Sequence, residues 1–338
     1  MLISAIMAAV GCGALVLALV PAPIAAEYWV REVLVVKRHL ARTHSDQPKI
    51  LVVAGSNVLL GVDAGLLSRE LGVPVVNFGL HGALPLDFLL AEAEQAALPG
   101  DAVVLPLEHP YYDDLVAYGP WQVRNDVAWN PSHWRRVPCG RRLAALATMG
   151  PGFIREVIRA RWQAWRQDPD LAPRLHALDD AAILDSLARA PEPTALAYSA
   201  YALDAWGTLR NTEGRVFTGP APPANLPVAL IPARRALLAD FVQRSAARHV
   251  AVYFANTPWV DSGPITDGSL EQADAALCDA LAELAPVLDR RADLVFPREL
   301  FLDTHLHLRT AGRERRTRVL LAGLRAHWPV LGADVRRR

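Results

Sequence analysis

The chain has 338 residues, 52% of them hydrophobic, and its 35 basic residues balance its 35 acidic ones. That length suits one large α/β domain or two modest ones of roughly 100 to 200 residues each. Zero net charge gives no electrostatic footprint for nucleic acid, and three cysteines are too few for a disulfide framework.

The first segment, 1–26, is predicted to be a transmembrane anchor or uncleaved signal. Leu2 to Ala26 contains no charged residue, and about 20 apolar residues span a bilayer as a helix. No basic region precedes the run, as a cleaved signal would have, although Pro21, Pro23 and Ala25-Ala26 are compatible with a cleavage region. Arg31, Lys37, Arg38 and Arg42 all follow it, so the positive-inside rule places the bulk of the chain in the cytoplasm. Cys12 lies inside the run and reads as a small residue of a membrane helix; Cys139 and Cys278 can pair only outside the cytoplasm.

Residues 27–48 read as a linker helix leaving the membrane. Over 49–110 strands alternate with helices, the pattern of a parallel sheet with right-handed crossovers. Strands are predicted at Ile50–Val53, Val73–Phe78 and Asp101–Leu107, with helices over Val58–Leu71, stopped by Gly72, and Leu86–Ala97. Residues 111–228 break the pattern with tryptophans, prolines and alanine-rich patches, and are expected to form a mainly helical insertion. Within it Trp121, Trp129, Trp134, Arg135 and Arg136 either stack on sugar rings or pack the insertion onto its parent domain. The alternation resumes over 229–330, with a helix from Pro232, a strand His249–Phe254, a helix Leu270–Leu288, a short strand at Leu294–Phe296 and a final helix Thr310–His327. A basic tail, 331–338, closes the chain.

Two distant stretches carry candidate chemistry. Lys49-Ile-Leu-Val-Val-Ala-Gly-Ser56-Asn57 ends a buried strand with a serine just before a helix, where ligands of parallel α/β sheets bind. Ser56 suits a nucleophile there, and equally a helix N-cap. Asn77-Phe-Gly79-Leu-His-Gly82 follows the second strand, and the Gly79 amide can donate to an oxyanion; Asn77 and Gly82 can also be plain turn residues. Near the C-terminus, Asp303-Thr-His305-Leu-His307 supplies a carboxylate and imidazoles. These would also suit a metal, but no further His, Cys or Asp cluster completes a tetrahedral site, so no metal and no cofactor is expected.

Together these pieces resemble the SGNH (GDSL-like) hydrolase superfamily, and most closely its membrane-associated branch related to bacterial polysaccharide and cell-wall O-acyltransfer proteins. The resemblance covers about 48–110 and 230–325 and implies an α/β fold, a flavodoxin-like three-layer sandwich with a central parallel sheet. It implies a catalytic Ser56, His307 and Asp303, with Asp and His four apart, and Gly79 as the oxyanion glycine. His305 becomes a neighbour that contacts substrate or merely lines the loop. The chain departs from the family where Gly-x-Asn-Asp should end the third strand and Leu107-Glu108-His109 stands instead. Asn57 or a group of the Glu108 turn then replaces the missing donor, or the oxyanion hole has fewer donors. The implied activity is a serine esterase or O-acyltransferase on acyl esters of an extracytoplasmic glycan, with a membrane-bound O-acyltransferase as a possible partner. The rival is a non-catalytic scaffold subunit of a polysaccharide modification or export complex. The extracytoplasmic face that the family implies opposes the one the basic residues indicate.

Overall fold

A computed structural model describes Gly11 and residues 20–113 and 118–327. The expected membrane segment therefore lies largely outside the described residues, as do Cys12 and the basic tail. Among the described residues no helix is long and apolar enough to cross a membrane.

The chain divides into two compact units, Met1–Val35 with Ala117–Ala190, and Val36–Val116 with Pro191–Arg338. Residues 191–228, assigned to the insertion at the sequence level, thus group with the sheet. Helix α1 (Tyr28–Thr43) passes from the first unit into the second.

The second unit is α/β around a four-stranded parallel sheet of order β2-β1-β3-β4. Its strands are β1 (Ile50–Val52), β2 (Val75–Asn77), β3 (Ala102–Leu105) and β4 (Ala251–Phe254). Leu51 pairs with Val76 on one side and Val103 on the other, and Val103 with Val252. The central strands are aliphatic and fully buried on both faces, which is why they read as continuous apolar runs. At their entry edge Lys49 and Asp101 form a buried ion pair at 2.5 Å, and Asp101 also accepts the amides of Lys49 and Leu98 at 3.0 and 2.7 Å.

The expected helix over 58–71 is two helices, α2 (Ser56–Gly61) and α3 (Ala64–Leu71). Asp63 breaks the run by capping α3, its carboxylate accepting the Leu66 amide at 2.8 Å. Gly72, with φ 69°, ends α3. Helix α4 (Leu86–Ala96) connects β2 to β3.

The first unit holds α5 (Pro120–Ala128), α6 (Pro131–Arg136), α7 (Cys139–Trp165) and α8 (Asp180–Arg189). Helix α7 is interrupted at Gly150, φ 71°, ahead of Pro151. Trp129 and Trp134 are buried in this unit, in line with packing, while Trp162 and Trp165 are exposed.

In the second unit α9 (Pro232–Ala247) precedes β4. Strand β5 (Trp259–Val260), helix α10 (Ser269–Ala282), strand β6 (Val295–Phe296) and helix α11 (Thr310–His327) follow. The strand at 295–296 does not extend the main sheet but pairs with β5 as a separate two-stranded parallel sheet. On the side of β4 away from β3, the described residues show a single bridge, Phe254 to Val287. Cys139 and Cys278 are both free.

Candidate active site

The carboxyl ends of β1, β2 and β3 lie side by side, so the loops that follow them meet at one edge. Ser56 opens α2 directly after β1. Of residues 49–62 it alone is partly exposed; every neighbour is buried. It is not a cap: the N-cap is Gly55, and no side-chain bond closes that end of the helix. The Ser56 hydroxyl makes no hydrogen bond among the described residues, nor do the amides of Ser56 and Gly82.

Glu108 shapes this turn from below. Its buried carboxylate accepts the Gly55 amide at 3.1 Å and the Asn57 amide at 3.2 Å, one on each side of Ser56. Burial raises its pKa, against the lowering effect of those amides and the Asn57 side chain. Asn57 is buried, and its amide group donates to Pro106 O at 3.0 Å. Arg316 of α11, also buried, approaches Asn57 O and Asn256 O at 3.4 Å each.

Asn77 is a structural hub. Its Nδ2 donates to Val58 O at 2.7 Å and Val62 O at 2.9 Å, tying β2 to α2 and to the residue that caps its C-terminus. Its Oδ1 accepts from Gly79 N at 3.0 Å and from the buried Lys37 ammonium at 3.1 Å. Lys37 also donates to Asn77 O at 2.5 Å and to Gly207 O. Burial drives its pKa well down, against the pull of Asp204.

The geometry therefore departs from the expected oxyanion donors. The Gly79 amide is spent on Asn77, and a Cβ at Gly79 would stand 2.2 Å from Leu59 N, so this glycine lets β2 touch α2. Asn57, Asn77 and Glu108 lie inside the protein under the turn. Gly82 is the glycine beside the serine: a Cβ there would lie 3.4 Å from Ser56 Oγ and 4.0 Å from Ser56 N.

The C-terminal half forms a tight loop. Phe301 and Leu308 bridge its base, and Thr304 Oγ1 accepts the amides of Leu306 and His307 at 3.2 Å each. This turn brings Asp303 and His307 together, with Oδ1 2.7 Å from Nδ1. Tyr198 joins them, donating to Asp303 Oδ2 at 2.7 Å and lying 3.3 Å from His307 Nδ1. Burial raises the Asp303 carboxyl, but hydrogen bonds from His307 and Tyr198 outweigh it and hold its pKa below the usual range. Tyr198 itself is pushed up, by burial first and then by Asp303.

The halves adjoin. The His305 and His109 rings are 6.2 Å apart, and Leu308 Cδ1 lies 3.5 Å from the Cβ position of Gly61 in α2. His109 also stacks on Trp259 at 5.3 Å. Burial, then the charge of His307, lowers the pKa of His305; burial, then His305, lowers that of His109. No hydrogen bond links Ser56 to His307. Among the described residues no group of three or more His, Cys, Asp or Glu side chains is placed to hold a metal ion.

Sequence reasoning singled out Ser56, Asp303 and His307 but not Tyr198, Gly82 as a donor, Thr304 or Arg316. The spacing Asn77-x-Gly79-x-x-Gly82 was the available signal for Gly82. Tyr198 carries no local pattern. No protein-family model, no curated protein and no solved structure matches this chain.

Proposed function

We propose that this chain is an SGNH-like serine esterase or O-acyltransferase, anchored to a membrane by the part of the apolar run that precedes residue 20 and acting on an acyl ester of an extracytoplasmic glycan; residues 20–26, expected to belong to the anchor, pack into the first unit instead. The observation that carries this reading is the Asp303–His307 pair, on a loop whose Leu308 packs near Gly61 of the helix that an uncapped, partly exposed serine opens at the carboxyl edge of a parallel sheet. The order β2-β1-β3-β4 supports it, being the order with which a flavodoxin-like sheet begins.

In this mechanism Asp303 accepts Nδ1–H of His307, fixing the tautomer that leaves Nε2 free to take the Ser56 proton. Tyr198 steadies the far oxygen of Asp303. Ser56 attacks the acyl carbonyl, and the amides of Ser56 and Gly82 receive the oxyanion. His307 returns the proton to the leaving alcohol, and the acyl group passes to water or a sugar hydroxyl. The absent Ser56–His307 bond is compatible with this mechanism, because catalytic hydrogen bonds often tighten only in the substrate complex.

That same absence, with Glu108 where the resembled family has an asparagine donor after the third strand, favours a second reading as a non-catalytic scaffold in a polysaccharide modification or export complex. Labelling by a serine-reactive fluorophosphonate separates the two. The enzyme reading expects the wild type to label and Ser56→Ala not to label, with loss of activity on a small acyl ester. A wild type that does not react, or a Ser56→Ala variant of full activity, overturns it.

A further inference from the structure

We infer that the exposed face of α7 after its break at Gly150 is a second membrane contact, lying in the interface of an anionic lipid surface. Along Pro151–Trp165 the residues Phe153, Val157 and Ala160 are buried against the first unit. On the opposite side Ile158, Trp162 and Trp165 are 43%, 56% and 73% exposed. At 100° per residue these three form one stripe. The two indole rings touch, with centroids 5.1 Å apart. Arg155, Arg159 and Arg166 run along one flank of the stripe and Arg161 along the other, all exposed. The one acid of this stretch, Glu156, is turned away and paired with Arg124 at 2.9 and 3.0 Å. An apolar stripe with tryptophan, bordered by arginine, is the chemistry of a helix lying in a bilayer interface.

The occupant is identified by where the apolar run joins this unit. The last residues of the run 2–26 are pinned by arginines at alternate carbonyls: Arg161 donates to Pro21 O at 2.9 Å, Arg174 to Pro23 O at 3.0 Å and Arg124 to Ala25 O at 3.3 Å. Between them Ala22 and Ile24 are fully buried, and the Ala22 amide bonds Val127 O at 3.0 Å. Arg161 thus holds the end of the apolar run one residue from Trp162. A bilayer entered by that run meets the tryptophan stripe at a fixed position. Arginines beside it face phosphate headgroups, for which they carry the complementary charge. The inference rests on the membrane reading of 2–26 and is independent of any chemistry at Ser56.

The test uses the full chain reconstituted in vesicles of phosphatidylcholine and phosphatidylglycerol. Emission of the wild type minus that of a Trp162→Phe/Trp165→Phe variant reports the pair alone. The inference expects this difference emission to be protected from iodide and reduced to roughly half by brominated phosphatidylcholine, as for an interfacial indole. It expects Arg155→Gln/Arg159→Gln/Arg166→Gln to lose the part of that quenching that depends on phosphatidylglycerol. Iodide access with no bromolipid quenching overturns the inference. Protection from both quenchers also overturns it, because a protein then covers the face. If the chain does not float with vesicles, the anchor reading fails together with the inference; if it floats and the pair stays iodide-accessible, only the inference fails. Circular dichroism of each variant establishes that the helices persist.

Discussion

Gly79 and Gly82 lie three residues apart after β2, and alanine at each position separates a glycine required by packing from one required by the site. A Cβ on Gly79 would stand 2.2 Å from Leu59 N and 2.8 Å from Leu59 Cα and Val58 C. These are backbone atoms of α2, so no side-chain rotation relieves the clash; the helix carrying Ser56 must move about 1 Å to restore ordinary contact. Overpacking of that kind costs about 1–3 kcal/mol. The Gly79–Asn77 hydrogen bond, worth about 1 kcal/mol, is strained with it. A Cβ on Gly82 instead meets Ser56 Oγ at 3.4 Å and Glu108 Oε1 at 3.7 Å, which is close to ordinary contact. Gly82→Ala should therefore change stability by less than about 0.5 kcal/mol. Its methyl nevertheless occupies the space beside the nucleophile into which the reacting group must fit, so labelling should slow by about 10²-fold. Urea unfolding midpoints read the first effect and fluorophosphonate labelling rates the second. An unshifted midpoint for Gly79→Ala, or wild-type labelling of Gly82→Ala, refutes the reasoning.

Tyr198→Phe removes the bond to Asp303 Oδ2, so the carboxyl should titrate nearer its ordinary value and kcat/KM should fall about 5- to 30-fold, a loss of about 1–2 kcal/mol. An unchanged pH–rate profile would leave Tyr198 with a packing role only. Asp101→Asn leaves the Lys49 ammonium buried without its counter-ion and should cost about 3–5 kcal/mol by urea denaturation, whereas Lys49→Met/Asp101→Leu should lie much nearer the wild type. The lowered pKa values of His109 and His305 mean that below 6.5 the unfolded chain binds protons the folded one refuses. Stability should thus fall as pH drops through 6.5, and His109→Asn/His305→Asn should flatten the slope. Glu108, whose pKa is raised, acts in the opposite sense above 4.5, so the comparison of variant with wild type isolates the histidines. A steeper slope in the variant would contradict this assignment.

The elements with strong local signals were legible in the sequence. Aliphatic runs mark β1 to β4 to within a few residues, because strands buried on both faces need no polar alternation. The final helix begins and ends where its pattern does. Asp303 and His307 were singled out through the family resemblance and not by local geometry; in the structure a loop brings these two residues, four apart, together. What stayed hidden depends on contacts between distant segments. Leucine spacing runs through Asp63 and conceals the break between α2 and α3. Nothing local says that 295–296 pairs with Trp259–Val260 and not with β4. Asn77-x-Gly79-x-x-Gly82 offers two glycines, and only the approach of α2 shows that the first is committed to packing. Tyr198 comes from a stretch read as insertion and meets Asp303 across 105 positions.

Where the family this chain resembles ends its third strand with an asparagine, this chain has Glu108, and that residue type changes what the position can do. An asparagine donates, while an ionised carboxylate only accepts. Here it accepts the amides on either side of Ser56, which orients the turn and leaves the Ser56 amide itself unspent. A missing donor weakens oxyanion binding by about 2.7–4 kcal/mol in other acyl-transfer sites. The added carboxylate also repels a charge forming beside Ser56, by about 4 kcal/mol at 4 Å and an effective dielectric of 20. Two features oppose that repulsion. Burial raises the pKa of Glu108, which favours its neutral form, and the Arg316 guanidinium, packed against Asn57 O, supplies positive charge to the same pocket. In the proposed chemistry Glu108 is thus a positioning acceptor, and the stabilising donors are the Ser56 and Gly82 amides. In that proposed chemistry, a hole of two amides under a buried carboxylate favours modest turnover.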